Sequence, residues 1–162
     1  MQPKRINKWL NQSDLLSQTN NKKILSWLNE EGSITKRISS KTNFMLEIQK
    51  DDIGNAQEEE YKALNIIPEK VRIREVILYG NSVPLVFARS IIPKLVSTIG
   101  YPGLGSIGSK PLGDLIFESD LFIKICREFA EFQNDSNEII WGRRTHYQVK
   151  GYPLSIMEVF LF

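Results

Sequence analysis

The chain patterns as an α+β domain in which several antiparallel strands form a sheet and helices pack against it. Three observations predict this. Two runs rich in β-branched and aromatic residues flank the polar turn Gly80-Asn81-Ser82-Val83, and a second such pair flanks Lys150-Gly151 near the C-terminus. The helical segments are short and do not alternate with the strands as a βαβ repeat requires. At 162 residues, 41% hydrophobic and 25% charged, the chain has the size and composition of a single globular domain with its own core.

Residues 1–20 are read as an N-terminal extension and 21–162 as the single domain. In 22–31, Leu25 and Leu28 stand three apart with Ile24 and Trp27 beside them, the spacing of a short amphipathic helix. Gly32-Ser33 resets the backbone, and Ser33 is placed to cap a second helix over 34–39. Residues 44–48 alternate as a strand, with Phe44, Leu46 and Ile48 on one face. The stretch 50–70 is less regular. Residues 57–62 suit a helical turn or two, Pro68 prevents continuation, and the whole reads either as a surface connection or as a cover over a site. Residues 71–80 and 84–92 make the central hairpin. The glycine-rich 93–110 reads as an irregular loop, and Pro111 suits the first turn of a helix ending near Phe117. Residues 121–132 form a strand into which Lys124 and Arg127 intrude. A polar turn at 133–138 leads to the terminal hairpin, 141–162.

Several function classes are disfavoured. Cys126 is the one cysteine and His146 the one histidine, so an intrachain disulfide or a cysteine-based zinc site cannot form, and a metal-free protein is expected. Gly103-Leu-Gly-Ser-Ile-Gly-Ser-Lys110 resembles a phosphate loop but puts Lys110 after Ser109 and before Pro111, against the required order. The net charge of +2 is spread along the chain, with no basic stripe interleaved with aromatics, so nucleic acid is not an expected partner. No apolar run nears the ~20 residues that span a bilayer. Lys4, Arg5 and Lys8 are not followed by an apolar segment, so no signal peptide is expected and the reading is cytosolic or equivalent.

Strand register then places the charges. A four-residue loop pairs Tyr79 with Pro84 and sets Arg74 across from Arg89. Any even-length loop keeps both arginines on one face, whereas an odd loop or a bulge separates them. Two like charges facing each other invite an anion, which a guanidinium fork matches. The plainer alternative is a pair of sheet-edge cations neutralised by Glu75 or another acid. In the terminal hairpin a Lys150-Gly151 turn sets Arg143 opposite Glu158, while a turn one residue later makes Thr145 the partner and leaves Arg143 on the same face. Glu158, in apolar company, is either a salt-bridge partner of Arg143 or Arg144 or a general acid/base. His146 falls on the opposite face from Arg143 and is expected to face solvent. Trp141 is expected to anchor the hairpin by packing.

Six segments in this order and spacing resemble the chorismate lyase family, most closely its plastid and cyanobacterial members: Gly32-Ser-Ile-Thr-Lys-Arg37, Ile73-Arg-Glu-Val-Ile-Leu78, Ala88-Arg-Ser-Ile-Ile-Pro93, Lys110-Pro-Leu-Gly-Asp-Leu-Ile-Phe117, Trp141-Gly-Arg-Arg144 and Met157-Glu-Val-Phe-Leu161. The resemblance runs from Ser26 to Phe162 and is weakest over 50–70. It implies an antiparallel sheet of about six strands, helices packed on it, and a ligand enclosed beneath helix-turn flaps. It implies removal of pyruvate from chorismate, a dianion, to give 4-hydroxybenzoate for quinone biosynthesis, with no cofactor. By the same resemblance Arg74 anchors the ring carboxylate, Arg89 holds the enolpyruvyl carboxylate, and Glu158 lies beside the ligand hydroxyl, where it is either the proton shuttle or only orients the C4 hydroxyl. Leu112 contributes through its backbone, and Ile34 lines the pocket where the bacterial enzyme has methionine. A monomer in a plastid stroma or bacterial cytoplasm is expected. The competing readings are a non-catalytic aromatic-acid sensor, like the effector domains of bacterial regulators, and a diverged lyase for another acid. The sensor reading is disfavoured because the short stretch before the first helix leaves no room for a DNA-binding module.

Overall fold

The computed structural model describes residues 2–162. Seven strands form one antiparallel sheet: β1 (Lys4–Arg5), β2 (Phe44–Asn55), β3 (Lys70–Gly80), β4 (Val83–Pro93), β5 (Phe122–Gln133), β6 (Ile139–Val149) and β7 (Tyr152–Phe160). Their order is β1-β5-β6-β7-β4-β3-β2, one strand more than the six expected. The addition is the two-residue β1, which pairs with the end of β5. Residues 2–20 thus join the sheet's edge, through β1 and a bridge from Leu10 to Phe129. They also supply α1 (Gln12–Gln18), whose Leu15 is fully buried.

The remaining helices are α2 (Lys22–Leu28), α3 (Ile34–Ser39), α4 (Glu58–Leu64) and α5 (Leu112–Glu118). Asn21 caps α2 through its side-chain oxygen, and Ser33 caps α3 by accepting from the Lys36 N–H at 3.1 Å. Residues 57–62 prove to be the start of α4, which packs Tyr61 and Leu64 on Val71, Ile73 and Ile91. None of the helices among the described residues is long and apolar enough to cross a membrane.

Both faces of the sheet are packed. On one, α1, α2 and α3 cover a cluster built on Leu28, Ile38, Val76, Val86 and Phe160. Further along the same face, the segment 96–107 and α5 cover a second cluster around Ile92, Leu104, Leu112 and Ile156. The other face carries Phe87, Phe132 and Val159 beneath Trp9, with α4 beside them. Polar side chains are concentrated at the seam between the two clusters of the first face.

Three bulges break strict alternation. They leave Gln49, Leu85 and Ile125 without a cross-strand partner. The central turn is as expected, with Gly80 opposite Val83, Tyr79 opposite Pro84, and positive φ at Asn81 and Ser82. Leu85 then shifts the register, so that Arg74 pairs with Ser90 while Arg89 pairs with Glu75. The expectation that Arg74 and Arg89 share a face is therefore corrected: the bulge turns them to opposite sides. The terminal hairpin needs no correction. Lys150 and Gly151, both at positive φ, make the turn, and Arg143 lies opposite Glu158.

Candidate active site

Arg74, on β3 between Ile73 and Glu75, is 2% exposed. Burying a guanidinium requires its donors to be met. Nη1 donates to Asp51 Oδ2 at 2.8 Å, and Nη2 donates to the Lys110 carbonyl at 3.0 Å. Asp51 comes from β2, directly across the ladder. Glu158, on β7, lies opposite Ala88 of β4 and Arg143 of β6. Arg143 Nε donates to Glu158 Oε2 at 2.7 Å, while its Nη1 donates to the carbonyl oxygens of Leu28 and Glu30. The ion pair expected of Glu158 is present, made through Oε2 with Arg143. Among the described residues nothing bonds Oε1, so that oxygen is left as an acceptor.

Arg74 and Glu158 line the same cavity, in the seam between the apolar clusters. Ile34 and Thr35, at the start of α3, close one side, and Pro111, Leu112 and Gly113, at the start of α5, close another. Ala88, Ser90 and Ile156 line the sheet side of the space. Four of the five expected site residues, Arg74, Glu158, Leu112 and Ile34, are thus brought together. The space between them is only about 40 Å³. Pockets that hold a small organic ligand run to about 300–1,000 Å³. The expected enclosed chamber is here a narrow seam between α3 and α5. These two helices are tied to each other, because Ser33 Oγ donates to Asp114 Oδ1 at 2.6 Å.

Arg89 is the exception. It lies on the other face, where Nε and Nη2 donate to the two oxygens of Glu60 at 2.9 and 2.8 Å and Nη1 to Glu75. Its expected place beside the enolpyruvyl carboxylate is corrected, since the sheet stands between it and Glu158. The plainer reading, neutralisation by Glu75, describes it. A recess of about 430 Å³ opens on that face between Trp9, Arg89, Arg144, Glu59 and Glu60. Size favours it over the seam, but charge does not. Arg144 is gripped by Glu59 and Glu128 and Arg89 by Glu60 and Glu75, so each of these two buried arginines already has two carboxylates, while Lys4 and Arg5 lie at the recess's rim. A dianion gains little from Arg89 and Arg144, which are already so thoroughly paired. His146, expected to face solvent, is instead buried on this face, with Nε2 2.9 Å from Glu128 Oε1. Burial opposes the charge on Glu128, but hydrogen bonds to His146 and Arg144 more than offset it and lower its pKa.

Three further residues beside the seam were not expected. Asp51 accepts from Arg72 as well as Arg74, and the Arg72 hydrogen bond is the main reason its carboxyl sits below the ordinary range. Arg72 was legible as the same-face neighbour of Arg74, two positions away. Tyr147, on the face of β6 shared with Arg143, has its hydroxyl pKa raised, first by burial and then by the Glu158 charge.

Fold and seam together define a class: an α+β protein whose sheet carries a buried arginine and a half-buried carboxylate in one seam beneath two short helices. The family model for chorismate lyase matches residues 3–162, and the chain belongs to that family. A probable chorismate pyruvate-lyase 2 of Pseudomonas entomophila is 33% identical over 162 residues, spanning 94% of this chain and 87% of that one. The chorismate pyruvate-lyase of Escherichia coli K12 is 33% identical over 144 residues, spanning 85% of this chain and 82% of that protein. Solved structures extend the fold further. The PhnF C-terminal domain superposes with a TM-score of 0.59 at 15% identity, covering 82% of this chain and 92% of that one. The ligand-binding domain of a putative GntR-family transcriptional regulator from Bordetella bronchiseptica gives 0.55 at 15% identity, covering 82% and 87%. At such identities the likeness is one of fold alone.

Proposed function

We propose that this protein is a chorismate–pyruvate lyase, converting chorismate to 4-hydroxybenzoate and pyruvate on the way to quinones. The observation that carries the reading is the placement of Arg74 and Glu158 in one seam, in a chain that matches its family over nearly its full length. Arg74 receives the ring carboxylate through its planar donor fork. Glu158 Oε1 takes the C4 proton as the C3–oxygen bond breaks; the electron pair of the C4–H bond completes the aromatic ring, and the departing oxygen leaves with its own pair as enolpyruvate. The proton returned from Glu158 converts enolpyruvate to pyruvate, which restores the carboxylate for the next cycle. Leu112 presents a backbone N–H at the first turn of α5, where no intrahelical carbonyl meets it. Ile34 supplies an apolar wall. Much of the acceleration is positioning and exclusion of rival reactions, since aromatisation provides the driving force.

Arg89 takes no part in holding the second carboxylate in this scheme. Action as a monomer is part of the same proposal. The bacterial relatives support a bacterial cytoplasm over a plastid stroma as its compartment.

The test is incubation of purified protein with chorismate, following 4-hydroxybenzoate and pyruvate separately by chromatography. Equimolar formation above the uncatalysed rate, lost in Arg74→Ala, is the expected result. Binding of 4-hydroxybenzoate without turnover would instead identify a sensor or a diverged enzyme. Failure to bind or convert either compound would overturn the substrate assignment.

A further inference from the structure

Arg74 does not stand alone in the seam. Its partner Asp51 is also held by Arg72, whose Nε donates to Oδ1 at 2.7 Å and whose Nη2 donates to Oδ2 at 2.8 Å. One carboxylate is therefore shared by two guanidiniums, leaving a net positive charge for a ligand. Each arginine also holds a carbonyl of the segment leading into α5: Arg72 Nη1 bonds Leu104 O at 2.6 Å, and Arg74 Nη2 bonds Lys110 O at 3.0 Å. Lys110 immediately precedes Pro111 and Leu112, which close the seam.

A ligand carboxylate arriving at Arg74 meets two competitors. Asp51 already occupies Nη1 and repels a second anion. The Lys110 carbonyl occupies Nη2, so a ligand that takes that donor loosens the flap behind it. Arg72 acts in the opposite sense, because it draws on the Asp51 charge and leaves less of it at Arg74. We propose that Asp51 and Arg72 are positioning residues that set how tightly the site retains an aromatic carboxylate, Asp51 by weakening the Arg74 grip and Arg72 by restraining Asp51. This rests on the reading above that Arg74 receives the ring carboxylate. The product keeps that carboxylate, so the same balance governs its escape: when it leaves, Asp51 and Lys110 O regain their donors and the flap is again fastened to the sheet.

The two residues have opposite signs, and a merely structural role would not give that. Affinity for 4-hydroxybenzoate is measured by calorimetry on the native protein and on Asp51→Asn and Arg72→Met, with neutral 4-hydroxybenzamide as the control ligand. Asp51→Asn keeps the shape and one acceptor oxygen, and is expected to bind the acid roughly tenfold more tightly and to lower KM. Arg72→Met leaves Asp51 wholly to Arg74 and is expected to bind the acid roughly tenfold more weakly. Affinity for the amide is expected to stay the same in both. Should Arg72→Met not fold, Arg72→Gln supplies that arm. Shifts in the same direction, no shift, or an equal shift for acid and amide would overturn the inference. Failure of the unsubstituted protein to bind the acid would show earlier, and would overturn the substrate reading together with it.

Discussion

Two buried arginines fifteen positions apart, Arg74 and Arg89, look interchangeable in the sequence and are wired in opposite ways. Arg74 shares one carboxylate, Asp51, with a second arginine and spends another donor on a backbone carbonyl. Arg89 is clamped by two carboxylates of its own, Glu60 and Glu75. The first arrangement leaves positive charge for a ligand, and the second consumes it. What separates the proposed binding arginine from the structural one here is the number of carboxylates per guanidinium, not burial, because both are buried.

The largest test of this contrast is Arg74→Ala, expected to lower kcat/KM for chorismate by about 10³-fold or more, as loss of a buried charge-assisted anchor does. Asp51 still has Arg72, so the thermal melt is expected to survive. Glu158→Gln comes next. It is expected to retain 4-hydroxybenzoate binding and to lower turnover by about 10²–10³-fold, the range of a lost acid/base group. Comparable turnover in that variant would remove the shuttle assignment.

On the opposite face, Arg89→Met strands two buried carboxylates and is expected to cost about 3 kcal/mol of folding stability, read from denaturant midpoints. Adding Glu60→Gln and Glu75→Gln is expected to recover most of it. If Arg89→Met instead abolished product binding with no loss of stability, the separation between the faces would fail. The smallest effect concerns acid. Asp51 has a lowered pKa in the fold, so its stabilisation is fully present above the ordinary aspartate value of about 3.9 and is lost as pH falls toward the lower folded value. Asp51→Asn is therefore expected to flatten part of the fall in melting temperature between about pH 5 and pH 3.

Most of the architecture was legible because it rests on local signals. Ser33 caps α3 as its side chain suggested, and the Lys150-Gly151 turn fixes Arg143 opposite Glu158. The misplacement of Arg89 has one cause, the bulge, which a pattern of alternating residues does not announce. Leu85 exchanges Ser90 for Arg89 in the seam. Gln49 does the converse on β2: alternation from Phe44 would have put Lys50 beside Arg74, and the bulge delivers Asp51 in its place. Motif resemblance reached Arg74, Leu112, Ile34 and Glu158 because it does not depend on register, and for the same reason it did not reveal which way Arg89 points. The first twenty residues look like an extension because β1 has only two residues, too short for any periodicity.

The hydroxyl of Ser33 belongs to two helices at once, accepting from the Lys36 N–H in α3 and donating to Asp114 in α5. An entrance with two separately hinged leaves would have two opening rates and a half-open state. Joined at one oxygen, these leaves are expected to open together as a single gate, and passage through it to have a single clock. Ser33→Ala would split that clock in two, turning one relaxation in a stopped-flow trace of product release into a pair.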